Sequence, residues 1–446
     1  MRLAHRRATT TATATTAATT TTAITAASAA TSVTLVAVLA VALGANPAAA
    51  AAAEPQPGPS GSGRPTEVSD ARSLPRALEG STAAGDAARQ QAPAAKSLQR
   101  QLDTLVADGA VAVAARIDAP KRDWAGAAGV RDRVGRGKAG KNDRFRVASN
   151  TKMMIATLVM QEVERGTWTL GSTVNEVVPG LFPGHDVTIE QLLSHLSGAP
   201  DALGELVATR MSDLTSWPQF FRAIGARYTD TEFIAMANSL PWLEPETKWS
   251  YSNAGYVALG VMLQRVTGSD ISTLLEKRIF APAKMRQTSY PTTPGVRGPF
   301  LVGTGFTSAG AFSTKNFNPA LFSSAGAVVS TTADLNRFTD ALLDGRLVSK
   351  KTVNDMTKPR STDGLAYGLG LMRLTDPCTP KGAAPKYLYG HNGGAFGTVS
   401  WALSSADGQR QVSLGVTGRY YSDTDPTQTQ PFDLDTALVA LLRASC

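Results

Sequence analysis

Phe145-Arg146-Val147-Ala148-Ser149-Asn150-Thr151-Lys152-Met153-Met154-Ile155-Ala156-Thr157-Leu158-Val159-Met160 is the stretch around which the chain is organised. Extended-favouring residues give way at Ser149 to helix formers, so its side chain is expected to open a helix as N-cap or first-turn residue. Lys152 follows at i+3, which puts amine and hydroxyl on one helix face. Met153, Met154, Ala156, Leu158 and Val159 make the helix apolar nearly all round, the mark of a buried helix. An ammonium buried there is costly unless paired, and desolvation lowers its pKa. A hydroxyl beside such an amine, at a helix N-terminus, has what a weak nucleophile needs for activation. Taken alone, Ser-x-x-Lys reads equally well as an N-cap serine with a surface lysine.

Two later segments change that balance. Trp249-Ser250-Tyr251-Ser252-Asn253 precedes a helical run from Ala254 to Val266. Alternate residues of an extended stretch point together, which places Tyr251 and Asn253 on one side and makes Tyr251 a candidate acid/base. Its ordinary pKa near ~10 requires a cation to hold phenolate at neutral pH, and Lys152 is the expected cation. Tyr389-Gly390-His391-Asn392-Gly393-Gly394-Ala395-Phe396-Gly397 lies between strand patterns, its glycines allowing backbone to pass close to a ligand. The N–H groups of Gly394 and Ser149 are candidates for an oxyanion site.

In order and separation, Ser149-x-x-Lys152, Tyr251-x-Asn253 and His391-x-Gly393 resemble the motifs of the penicillin-recognising serine hydrolases. They look in particular like those of actinomycete-type D-alanyl-D-alanine carboxypeptidases and their class C β-lactamase relatives. The framework segments Leu193 to Gly198, Ser324 to Ser330 and Tyr367 to Leu371 share the resemblance, which covers about Ser97 to Cys446.

The resemblance implies that Ser149 attacks a carbonyl and that Lys152 and Tyr251 move the protons. Asn253 with His391, Asn392 and Gly393 then lines the substrate, and water hydrolyses the acyl-enzyme. Tyr-Ser-Asn with His-x-Gly points to the carboxypeptidase branch, acting as a monomer on a peptidoglycan peptide or a β-lactam-like small molecule, without cofactor. Two residues depart from the pattern. Asn392 stands where relatives carry Thr, and Met372 stands where carboxypeptidases place an Arg for the substrate carboxylate. Arg373 is adjacent, but neighbouring strand residues face opposite sides, so only a bulge or loop would bring it in. A β-lactamase, an esterase or an amidase on the same scaffold is the alternative within the class, and a non-catalytic wall-binding protein the alternative outside it.

The rest of the chain sets the context. Its 446 residues are 43% hydrophobic and 18% charged, enough for a large core in two lobes. Three of the charges behind the net +8 are Arg2, Arg6 and Arg7, in an N-terminal segment with no acid. No run of Lys and Arg interleaved with aromatics occurs, which argues against nucleic acid. Met1 to Ala53 reads as an export signal with an apolar core from Val33 to Leu43, hence a secreted protein; an uncleaved membrane anchor is the alternative. Residues 54–96, rich in Pro, Gly, Ser, Ala and Gln, read as a disordered linker. Residues 97–446 read as one serine hydrolase domain.

The expected fold is α+β. Strand patterns lie at both ends, Gly109 to Asp118 and Trp124 to Arg131, then Tyr367 to Leu374, Lys386 to Tyr389, Thr398 to Ser404 and Gln411 to Thr417. They imply one antiparallel sheet flanked by helices, with a mostly helical lobe between. Four His and two Cys without a His/Cys cluster argue against a metal site. In an exported chain the two cysteines, Cys378 and Cys446, are expected to pair, with two free thiols as the alternative.

Overall fold

The computed structural model describes residues 91–135, 137–361, 365–422 and 430–446, the side chains of 91–94 excepted. The expected export signal and most of the expected linker lie outside these residues. Helix α1 spans Gln91–Ala107, so it starts inside the stretch 54–96 that composition assigned to the linker. Leu98, Leu102 and Leu105 are buried, and the Ala- and Gln-rich residues before them, good helix formers, extend that anchored helix backwards.

In chain order the elements that build the site are β1 (Ala112–Ala119), β2 (Arg122–Gly129), β3 (Phe145–Arg146), α2 (Thr151–Glu164), α3 (Ile189–Ser194), α4 (Asp230–Ser239) and α5 (Asn253–Thr267). They continue with β4 (Thr304–Thr307), β5 (Gly310–Ser313), β6 (Val329–Ser330), α6 (Thr332–Leu343), β7 (Met372–Thr375), β8 (Tyr387–Ala395), β9 (Thr398–Ser405), β10 (Gln411–Thr417), β11 (Arg419–Tyr420) and α7 (Leu434–Ala444). The main sheet has the order β2-β1-β10-β9-β8-β7, with every neighbouring pair antiparallel. Strands from both ends of the chain thus meet at β1 and β10. The chain leaves this sheet after β2, pairs β3 with β6 beside it, and returns to it at β7.

Period-two patterning decides which core each strand residue enters. Val113, Ala115 and Ile117 face Val416, Leu414 and Val412 across the ladder. Together they pack with α1 and α7 through Leu98, Leu102, Leu438 and Leu441. Ala112 and Ala114 turn to the opposite face, onto Phe145 and the core of α2 and α5. Small residues are required there: a Cβ at Gly415 would meet the Phe145 ring at 2.8 Å. The sheet is therefore a platform covered on both faces, and β3 lies flat on it just before Ser149.

The strand expected over Tyr367 to Leu374 begins only at Met372. Before it, the Gly368 N–H donates to the Leu371 carbonyl (2.8 Å). Gly370 is left-handed, and a Cβ there would lie 2.3 Å from the Ala156 methyl of α2. The alternating Tyr-Gly-Leu-Gly-Leu pattern looks like a strand, but its glycines let the chain turn and press on α2 instead.

Cys378 and Cys446 are bonded, with Cα atoms 5.4 Å apart and a sequence separation of 68. The bridge ties the segment after β7 to the end of α7. Arg410 supports it, pairing with Asp376 and donating to Ser445 Oγ at 3.2 Å. Closing a loop of this length is worth up to about 4 kcal/mol in the chain-entropy picture. Cys446→Ser is expected to lower the unfolding free energy by up to that amount, and thiol titration of unfolded, non-reduced wild type to find no thiol. Two titratable thiols per wild-type chain would reject the bridge.

Candidate active site

The turn carrying Ser149 is held by the sheet rather than by helix capping. Ala148–Asn150 form a 3-10 turn ahead of α2, and the residue at the N-cap of α2 is Asn150, whose side chain makes no capping bond. Ser149 is thus not the N-cap. Its hydroxyl is not committed to backbone and faces side chains. Ala148 is left-handed (φ 47°), a conformation costly for a residue with a Cβ. Clamps on either side hold it there. The Val147 N–H donates to the Val328 carbonyl (3.1 Å). The Ser400 hydroxyl donates to the Val147 carbonyl (2.9 Å), while Asn150 Nδ2 donates to Ser400 Oγ (2.8 Å). Gly393 permits this approach, since a Cβ there would sit 2.2 Å from the Val147 carbonyl oxygen.

Lys152 is wholly buried. Its Nζ lies 3.3 Å from Ser149 Oγ, 2.6 Å from Asn253 Oδ1 and 2.9 Å from the Ala325 carbonyl. Burial lowers its ammonium to about 7, with the charge of Asp201 pulling the other way. The geometry fixes where a neutral amine directs its lone pair. Asn253 Oδ1 and Ala325 O can only accept and take the two N–H donors, so the lone pair is left for the Ser149 O–H.

Tyr251 meets the same hydroxyl. Burial holds its phenol well above the ordinary value, and the hydrogen bond with Ser149 only partly offsets this. Lys152 lies over the face of the ring, 4.7 Å from its centroid. The expected phenolate stabilised by Lys152 is therefore not what forms: the contact is cation–π and the phenol keeps its proton. His195, left-handed at the end of α3, packs against Tyr251 with ring centroids 4.3 Å apart and the planes tilted by 35°, and accepts the Ser252 N–H on Nδ1 (3.2 Å). It acts as the expected framework residue.

The β8 segment divides its residues differently from expectation. Strand β7 pairs with β8 only over Tyr387 to Gly390, so Asn392 and Gly394, both half-buried, extend past it. His391 and Gly393 are on the buried side, with the His391 ring 6.4 Å from that of Tyr251. Its Nδ1 donates to the Asn392 carbonyl (2.5 Å), which leaves Nε2 to accept the Tyr367 hydroxyl (3.0 Å). Burial holds it down to about 3, against the Asn392 bond, and so neutral. Arg373 lies across from Tyr389 with its guanidinium 4.3 Å from the Tyr387 ring centroid, and Met372 is buried. The ladder is unbroken here, so Arg373 shares a face with Tyr389, and its guanidinium is engaged by the Tyr387 ring.

Sequence reading missed Asp201. Its Oδ1 accepts the Asn253 N–H at 2.8 Å. The available signal was its position three residues beyond Gly198, in a Gly-Ala-Pro-Asp turn after α3.

The family described as Beta-lactamase matches residues 94–438. The chain belongs to the beta-lactamase family. It is 28% identical over 287 residues to penicillin-binding protein 4* of Bacillus subtilis, covering 61% of this chain and 60% of that one. The chain thus spans about 60% of that relative's length. Among solved structures it is similar to a D-stereospecific amidohydrolase from Streptomyces sp. at 29% identity, with a TM-score of 0.65 and coverage of 74% of this chain and 96% of that one. It is also similar to a D-amino acid amidase from Ochrobactrum anthropi SV3, complexed with L-phenylalanine amide, at 25% identity with a TM-score of 0.64 and coverage of 79% and 98%. The expected class, a beta-lactamase-family serine hydrolase on an α+β fold, holds.

Replacing Tyr251 by Phe is expected to slow acylation by roughly 10²- to 10⁴-fold, the share of a positioned acid/base. Thermal stability should stay nearly unchanged, because the buried ring is kept. Stopped-flow acylation by a chromogenic β-lactam checks this, and a wild-type rate would remove Tyr251 from the chemistry.

Proposed function

We propose that this beta-lactamase-family hydrolase works through an acyl-enzyme on Ser149, cleaving amides or esters whose leaving group carries no free carboxylate. The observation that carries the reading is the lone pair of Lys152, which two acceptor-only neighbours leave to the Ser149 hydroxyl. Ser149 Oγ attacks the carbonyl carbon and its proton passes to Nζ. The tetrahedral oxyanion is held by the N–H groups of Ser149 and Gly394. The C–N or C–O bond then breaks as a proton returns through the Tyr251 hydroxyl to the leaving group, and water repeats the sequence on the acyl-enzyme. Read with the export segment at Met1 to Ala53, the chemistry takes place outside the cell.

The choice among substrates rests on the cation a terminal carboxylate would need. Met372 supplies none, Arg373 is stacked on Tyr387, and His391 is buried and neutral. Among the described residues, Lys152 is the cation in contact with the Ser149 hydroxyl, and its role is proton transfer. The likeness to a D-stereospecific amidohydrolase and a D-amino acid amidase agrees with amides of D-amino acids as the substrate class. The D-alanyl-D-alanine carboxypeptidase reading is second, favoured by the likeness to penicillin-binding protein 4*.

D-Phenylalanine amide is expected to be cleaved with a kcat/KM at least about tenfold above that for a peptide ending in D-Ala-D-Ala, a tenfold ratio corresponding to about 1.4 kcal/mol of differential transition-state binding. Preference for the free-carboxylate peptide would select the carboxypeptidase reading. An activated ester without a carboxylate, p-nitrophenyl acetate, should acylate wild type at Ser149 and not Ser149→Ala. Because Lys152 must be neutral to accept the proton, kcat/KM should rise with pH through about 7 and then level off.

A further inference from the structure

We propose that Asp201 is a positioning residue, whose carboxylate fixes which end of the Asn253 amide faces Lys152 and thereby aims the amine at Ser149. The inference rests on the reading of Lys152 as the acceptor of the Ser149 proton.

Asn253 is the first residue of α5 and is buried. Its N–H donates to Asp201 Oδ1 at 2.8 Å, and its side-chain amide also bonds that carboxylate. A carboxylate can only accept, so the NH2 end of the amide is drawn to Asp201 and Oδ1 is turned to Lys152, 2.6 Å away. Were the amide reversed, its NH2 would face Nζ as a donor. The lone pair would then be taken by Asn253 instead of Ser149. Of the two side chains that bond Asn253 among the described residues, Asp201 sets this polarity, because Lys152 accommodates a donor or an acceptor according to its own protonation.

The loop that supplies Asp201 is built to hold it. The Ser252 hydroxyl donates to the Pro200 carbonyl (3.1 Å), and the next residue, Ala202, is left-handed with φ 64°. Burial raises the Asp201 carboxyl above the usual carboxylate range, while its bonds with Asn253 and the charge of Lys152 favour the ionised form.

Removing the charge has a second effect. Lys152 is faced by Asp201, Tyr251, Tyr256, His195 and His391, and Asp201 by Lys152, Asn253 and Glu205. Both histidines are neutral and both tyrosines keep their protons. Asp201 is therefore the group that supports the ammonium form of Lys152, and its loss moves the titration of Lys152 down.

The test is kcat/KM against pH for p-nitrophenyl acetate with wild type, Asp201→Asn and Asp201→Ser. The serine variant keeps an acceptor for the Asn253 N–H if the asparagine variant does not fold. In the variants the acid limb should move to lower pH by about one unit, while the plateau falls at least about tenfold, chiefly in kcat. A merely structural substitution would lower the folded fraction without moving the limb. A wild-type limb and plateau in whichever variant folds overturns the inference alone. Absence of an acid limb in wild type overturns the Lys152 reading and the inference with it.

Discussion

A primary amine with no exposed surface and three oxygen neighbours is the constraint on which the rest of this structure depends. Each neighbour comes from a different part of the chain: Ser149 from the turn before α2, Asn253 from the start of α5, Ala325 from the 3-10 turn Ser323–Ala325. An amine buried this way is tolerable only if each of its hydrogens has an acceptor. Three segments far apart in sequence must therefore converge to within hydrogen-bond distance. The helical middle of the chain fulfils this by packing α2 against α5 and the Ser323–Ala325 turn in one apolar core.

The sheet contributes position. Strand β3 brings Val147 to the face of β8 and β9, where Ser400 and the bare backbone of Gly393 fix it. The chemistry is assembled by the helices and located by the strands, with Ser149 at the junction. Closing the sheet from both chain ends serves the same purpose, since β1 and β10 hold the face on which Phe145 lies.

The residues that could be read from sequence are those whose chemistry is unusual for their setting. A lysine inside an apolar helix, a tyrosine and an asparagine two apart, and a glycine-rich segment between strands all carry a cost that calls for a reason. The sheet was legible because small and branched residues alternate along β1, β9 and β10. Asp201 was not, because an acid in a turn is ordinary, and its importance arises only when α5 brings Asn253 against it. His391 was legible only through the motif it completes, and its bond to Tyr367 inside the sheet could not be read from sequence. Parity also governs Arg373, which shares its position with Tyr389 across the ladder and stacks on Tyr387. The pattern Tyr367 to Leu371 misled because alternation was counted while the freedom of Gly370 to turn left-handed was not.

The left-handed Ala148 has a mechanical meaning. A residue with a Cβ held at φ 47° gives up roughly 1–2 kcal/mol, and that energy is returned as soon as its clamps loosen. The turn is thus a spring kept under load by Val328, Ser400 and the strand behind Gly393. The Ser149 hydroxyl stays in place beside the amine only while these contacts hold the turn. Catalytic geometry in this protein is thus a property of a loaded turn as much as of the side chains it carries.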